Sequence, residues 1–193
     1  MSFKFGAHKI KTSVGLNTNY GLDRGLTNNK EYKAFSLALN PELGLTYEYG
    51  EIFTVQPSYR YEFNQSNFTN YSIDKSRTFR HVLKTELTLR WPKHVVFGAD
   101  LGYTYNANIA DGFRKDFYLL NTSLGYNFFG DKLLAKIKVY DILNQNTATS
   151  RMITPESIID QQNTVLKRYV MFSLTYKIEK FAGKKKNPWE TEE

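Results

Sequence analysis

The sequence predicts an all-β chain of long antiparallel strands connected up and down, and three observations carry that expectation. Apolar and polar residues alternate with period two over runs of about a dozen residues, as in a strand whose two faces meet different surroundings. The composition is rich in rings yet polar on average, 16% aromatic with a mean hydropathy of −0.50. Finally, tight and long connections take turns along the chain, so the long ones collect at one end of the sheet.

The runs follow in order. Residues 8–20 carry His8, Ile10, Val14, Leu16 and Tyr20 on one side, and Lys9, Lys11, Ser13, Asn17 and Asn19 on the other. Residues 34–49 set Phe35, Leu37, Leu39, Leu43, Leu45, Tyr47 and Tyr49 against Ser36, Asn40, Glu42, Thr46 and Glu48. In 53–64, Phe53, Val55, Tyr59, Tyr61 and Phe63 oppose Thr54, Gln56, Arg60 and Glu62. In 79–91 the contrast is Phe79, Leu83, Leu87, Leu89 and Trp91 against Arg80, Lys84, Glu86 and Arg90. Residues 95–105 and 118–128 continue the pattern with Phe97, Leu101, Tyr103 and Tyr105, then Tyr118, Leu120, Leu124 and Phe128. A weaker run over 133–140 and a strong one over 166–178, with Val170, Phe172, Leu174 and Tyr176, complete eight predicted strands.

Tight links at 49–52, 91–94 and 129–132 alternate with longer polar ones at 21–33, 65–77, 106–115 and 144–164, which puts both termini at the tight-turn end. Pro41 and Pro57 remove ladder donors inside neighbouring runs, so local bulges are expected there. The last long loop, with Arg151, Met152, Ile153, Pro155, Ile158 and Ile159, is more apolar than the others and suited to folding onto the sheet's interior or a partner.

Composition excludes several classes. The chain has 193 residues and no cysteine, so neither a disulfide framework nor a thiolate metal site is available. No run of eighteen apolar residues exists to make a transmembrane helix. A chain this rich in aromatic residues is not of the disordered type. The first residues, Met1-Ser2-Phe3-Lys4-Phe5-Gly6, lack the apolar core of a signal peptide, so the chain reads as cytosolic or as a mature or truncated piece of an exported protein.

What lies against the apolar face decides the class, since a soluble meander alternates too. Most runs reach the 9–11 residues that a tilted strand needs to cross a bilayer. Rings cluster at the run ends and aliphatics in the middle. Tyr47, Tyr49, Phe53, Trp91, Phe128 and Tyr176 fall outside the aliphatic band, as do Tyr20, Tyr61, Phe63, Tyr103, Tyr105 and Tyr118. These are read as aromatic girdles at the two membrane–water interfaces. The opposite face mixes small polar residues with Glu42, Arg60, Glu62, Lys84, Glu86, Arg90 and Asp100, a charge network suited to a lumen. Backbone groups in hydrocarbon must all be paired, so such a sheet belongs to a barrel. The expected fold is therefore antiparallel up-and-down transmembrane β-barrel strands, either a closed eight-stranded barrel or part of a larger one. Residues 1–181 form the barrel domain and 182–193 a charged periplasmic tail, in the outer membrane of a Gram-negative bacterium.

The stretch from Lys138-Val139-Tyr140-Asp141-Ile142-Leu143-Asn144-Gln145-Asn146 through Leu166-Lys167-Arg168-Tyr169-Val170-Met171-Phe172-Ser173-Leu174-Thr175-Tyr176 resembles the last two strands of TonB-dependent receptors. The likeness is to the Bacteroidota outer membrane protein beta-barrel group within them, with Asp141 where asparagine is usual and Leu143 where phenylalanine is. The resemblance implies the C-terminal third of a 22-stranded receptor barrel that takes up a bulky nutrient. Its partners would be membrane lipids, the barrel assembly machinery and an energy-coupling complex reached through a plug domain missing from this chain. The competing expectation is an independent eight-stranded barrel of the OmpA/OmpX type with a structural or adhesive role.

No enzyme chemistry is expected. His8, His81 and His94 are scattered, with no second ligand at metal-binding spacing, so no metal or cofactor is assigned. Asp100 and Glu86 read as interstrand ion-pair partners, not as an acid–base pair. The +7 charge comes from lumen-side lysines and the terminal Lys180, Lys184, Lys185 and Lys186, without the interleaved aromatics of a nucleic-acid interface.

Overall fold

The computed structural model describes residues 1–70, 73–154 and 156–178. The expected tail, 182–193, and Pro155 lie outside the described residues. Eleven strands are present among them: β1 (Ser2–Phe5), β2 (His8–Thr27), β3 (Lys30–Tyr49), β4 (Phe53–Phe68), β5 (Lys75–Leu89), β6 (Val95–Asn106), β7 (Asp116–Phe128), β8 (Leu133–Tyr140), β9 (Ala148–Ile153), β10 (Ile158–Asn163) and β11 (Tyr169–Tyr176). Nine of them make one antiparallel sheet in the order β1-β2-β3-β4-β5-β6-β7-β8-β11, and β9 and β10 form a separate hairpin.

The strand count thus exceeds the eight that periodicity predicts. β1 was missed because four residues are too few to display alternation, and a turn at Gly6, in the left-handed region at φ 57°, hides it. Its presence moves the N-terminus away from the tight-turn end: the Met1 ammonium donates to the Thr12 carbonyl at 2.9 Å, alongside the body of β2. The β9–β10 hairpin lies in the loop expected over 144–164. It is pinned by Arg151, whose Nε and a terminal guanidinium nitrogen donate to the two Asp160 oxygens at 2.7 and 2.9 Å.

Three other boundaries differ. The link expected over 21–33 is mostly strand, since β2 and β3 run on as a ribbon to the pair Thr27–Lys30. Between them stands a two-residue turn of Asn28 and Asn29, at φ 51° and 58°. Positive φ at both central residues matches the twist of a hairpin, and asparagine tolerates it. Leu22 and Leu26 continue the phase of Tyr20, a signal that was present in the sequence. Trp91 sits in the turn beyond β5, at a cis bond to Pro92, and the final strand begins at Tyr169 instead of Leu166.

The register explains the two unlike faces. Along the outer face apolar residues line up across successive strands: Val14 with Leu43, Leu43 with Tyr59, Tyr59 with Leu83, Leu83 with Tyr103, Tyr103 with Tyr118. Further on, Leu124 pairs with Ile137 and Ile137 with Phe172. The expected bulges at Pro41 and Pro57 are absent. Pairing between β3 and β4 lapses beside each proline, yet Leu39–Phe63, Glu42–Arg60 and Tyr47–Val55 keep one unbroken register. Each proline stays paired on its other side, Pro41 with Leu16 and Pro57 with Thr85, so both turn their missing donors toward the same seam. Two gaps on one seam leave the register intact because no residue is inserted.

Candidate functional site

The outer face decides what solvent the sheet was built for. Its apolar side chains are laid bare: Val14 is 81% exposed, Leu16 68%, Leu124 58% and Phe172 63%. Among the described residues the buried hydrophobics are Ala34, Ile109 and Ala110, none of them in that band. A soluble sandwich or lipocalin would bury this face as its core, since a Leu or Phe side chain left in water forgoes about 1.5–3 kcal/mol. A continuous apolar surface over the whole sheet is the signature of strands facing lipid.

The predicted girdle residues, apart from Trp91 in the turn beyond β5, occupy two bands on this face. At the tight-turn end, Tyr47, Tyr49 and Phe53 gather around His8, with Tyr47 and Phe53 centroids 6.1 Å apart. Phe128 packs on Tyr126 at 4.7 Å and shares a rung with Leu133, which in turn pairs with Tyr176. At the loop end, Tyr61, Phe79, His81 and Tyr105 form one cluster and the Tyr103 and Tyr118 rings meet tilted at 4.8 Å. Phe63 pairs with Phe79, and Tyr20 with Leu37 one rung further out. Two histidines belong to the bands: His8 Nδ1 shares a hydrogen bond of 2.8 Å with the Tyr47 hydroxyl, and His81 Nδ1 one of 2.7 Å with that of Tyr59. A polar handle on an apolar ring suits the membrane interface.

The inner face is organised by short ion pairs across neighbouring strands. Glu42 and Arg60 sit directly opposite and meet at 2.8 Å. Glu62 pairs with Arg80, two guanidinium nitrogens reaching its two oxygens at 2.9 Å each. Glu48 takes both Lys9 and Lys11, at 3.3 and 3.2 Å. Asp100 faces Glu86 on the next strand, and Lys138 reaches over β7 to hold Asp100 at 2.9 Å. Of the predicted network, then, Glu42, Arg60, Glu62 and Asp100 are in ion pairs. For Lys84 and Glu86 no ion pair is found among the described residues. Arg90 lies past the end of β5, donating to the Glu51 carbonyl at 3.4 Å, and does not join the lumen network. Sequence reasoning omitted Arg80, Lys138, Lys9, Lys11 and Glu48 from the network although each sits on the polar phase of its strand. The small residues between them leave room: a Cβ on Gly98 would lie 2.7 Å from the Ser123 hydroxyl.

At the loop end the residues 141–146 tie β8, β7 and the last loop together. Asp141 is 2% exposed and adopts φ 48°. Its Oδ1 accepts the Gln145 N–H at 2.9 Å and its Oδ2 the Asn146 N–H at 3.1 Å, while its own N–H donates to Asn121 Oδ1. The side chain thereby satisfies two amides that a strand end would leave open. Gln145 Oε1 accepts from Arg114 at 3.1 Å and from the Tyr118 N–H at 3.2 Å, and Asn146 Nδ2 donates to the Leu166 carbonyl. Further out, Asn28 Nδ2 at the tip of the β2–β3 ribbon donates to Glu156 Oε1 beside the tip of the β9–β10 hairpin at 2.9 Å. The hairpin that leaves the sheet between β8 and β11 thus reaches the β2–β3 ribbon at this end.

Outward aliphatics between two aromatic bands, an inward ion-paired face and paired strands throughout describe a membrane barrel wall. A family model described as the outer membrane protein beta-barrel family matches residues 11–176. The chain belongs to that family. It is accordingly an outer-membrane barrel protein of Gram-negative bacteria. Comparison with curated proteins and with solved structures gave no match.

Among the described residues no three His, Asp or Glu side chains come together as metal ligands. His94 lies 3.5 Å from Asp131 at the tight-turn end. It is far in sequence pairing from His81, which occupies the loop-end band. The lumen carboxylates Glu42, Glu62 and Asp100 each have a cationic partner.

Proposed function

We propose that this chain is the C-terminal barrel segment of a TonB-dependent receptor that takes up a bulky nutrient. It contributes wall, lumen surface and external loops, and no catalysis. The observation that carries this reading is the sheet's pair of edges. β1 is hydrogen-bonded to β2 alone and β11 to β8 alone among the described residues, and the outward apolar face runs to both. An unpaired edge in hydrocarbon costs several kcal/mol for each open amide, so each edge calls for a further strand. The motif over Lys138 to Asn146 and the aromatic strand after it add support through their likeness to the closing strands of such receptors. Partners in this reading are membrane lipids, the assembly machinery that inserts barrels, and an energy-coupling complex acting through a plug domain; nucleic acid is not among them.

Size-exclusion chromatography of the chain purified in detergent tests it. Open edges should drive the chain into oligomers or aggregates. A monodisperse monomer whose electrophoretic mobility changes on heating would instead mean a closed small barrel of structural or adhesive role and would overturn the receptor reading.

A further inference from the structure

At the loop end, between the exit of β8 and the start of β11, lies a cavity of about 480 Å³, within the size range of small-molecule sites. Its lining carries Arg114 and Lys167 and no acidic side chain. Around the two cations stand the amides of Asn144, Gln145, Gln162 and Asn163. The carboxylate of the neighbouring segment, Asp141, is outside the lining and turned onto the backbone of Gln145 and Asn146. That arrangement also fixes one wall: Gln145 is held through its Oε1 by Arg114 and the Tyr118 N–H, which leaves its Nε2 to donate. Arg114 uses a single terminal nitrogen in that bond, and Lys167 forms no ion pair among the described residues. The wall is thus rich in donors and doubly cationic, with Gln145 and Arg114 held against each other before any ligand arrives, an arrangement that favours oxyanions. The amides offer both donors and acceptors at close spacing, which suits hydroxyl groups better than a bare inorganic ion.

From this lining we propose that the cavity is a binding site for an acidic, polyhydroxylated ligand, of the chemistry of a sugar bearing a carboxylate or phosphate. Arg114 and Lys167 take the anionic group and the amides of Asn144, Gln145, Gln162 and Asn163 take the hydroxyls. The site needs only the described loop end, so it stands or falls separately from the receptor reading.

The test is calorimetric titration of the full chain in detergent at low salt, in whatever oligomeric state it takes there once circular dichroism shows its strands formed, with three probes: a disaccharide containing one glucuronate, its neutral glucose counterpart, and inorganic phosphate. The acidic disaccharide should bind at least about tenfold tighter than either of the other two. Arg114 and Lys167 are exposed, so Arg114→Gln and Lys167→Gln should leave the fold intact and each weaken the acidic disaccharide at least about tenfold, bringing it toward the neutral one. A parallel titration in vesicles carrying an acidic glycolipid separates the two sources of such a ligand: competition with the free disaccharide assigns a lipid headgroup, and its absence a soluble sugar. Equal affinity for the acidic and neutral disaccharides, no binding of the acidic one, or binding untouched by both substitutions would overturn the proposal.

Discussion

Asp141 ties the exit of β8 to the turn that follows it. It closes β8 with a left-handed backbone and satisfies two amide donors at 2.9 and 3.1 Å from a nearly inaccessible position. Asp141→Ala strands both N–H groups, at about 1–3 kcal/mol for each buried donor, and forces a Cβ residue without local hydrogen bonding into φ 48°. Asp141→Asn keeps one acceptor and the tolerated backbone, so it should cost clearly less. Urea unfolding in detergent, followed by tryptophan fluorescence, checks the order; equal losses for the two would contradict this account of the side chain. The sequence pattern flagged Asp141 only as a departure from the usual asparagine. Its burial depends on Asn121 of β7 meeting the turn that brings Gln145 and Asn146 back over its carboxylate, which no local periodicity encodes. Lys138 was missed for a related reason: its partner Asp100 lies two strands away, and such a reach depends on the register.

Strand faces were the most legible feature, because the side-chain period is 2 and a wrong phase would turn every residue over. An arginine placed at Leu43 or Leu87 on the outer face should destabilise by about 2–4 kcal/mol near the bilayer midplane, and one at Thr46 on the inner face much less. Comparable losses at Leu43 and Thr46 in folding titrations would show the faces to be misassigned. Turns and short strands were less legible. The Asn28-Asn29 turn lacks the glycine that usually marks a hairpin, and the β9–β10 pair is six residues a side, too brief for a clear pattern. That hairpin also carries a pH dependence. The Arg151 hydrogen bond holds the Asp160 carboxyl below the usual carboxylate range. A lowered folded value means that the pair contributes above the unfolded value and is lost as pH falls through the folded one. The protection factors for amide exchange over Ile158–Asn163, with the intrinsic pH dependence of exchange divided out, should therefore be flat between about pH 5 and 8 and fall, giving fast exchange, only below the ordinary aspartate value of about 3.9. Asp160→Asn should show the fast exchange at neutral pH; protection unchanged by that substitution would remove the ion pair from the account.

At the scale of the whole molecule, one face of this sheet lies against lipid. Topology follows from it: the connections after β2, β4, β6 and β8 share one end, and those after β1, β3, β5 and β7 the other. Sequence alone carried that alternation but not the exact number of strands, since a short first strand shifts the position of the N-terminus without disturbing any face. The absence of native cysteine permits single labelling sites throughout. The most direct measurement places one fluorescent thiol label at a time on Ala99, Asp100, Leu101 and Gly102 of β6, in the chain assembled into outer membranes. Each label is then exposed to nitroxide-bearing lipids and to a water-soluble quencher. The labels at Ala99 and Leu101 should be quenched by the lipids, and those at Asp100 and Gly102 spared by them. Quenching that fails to alternate along β6, or reaches all four positions from water, would contradict a lipid-facing sheet.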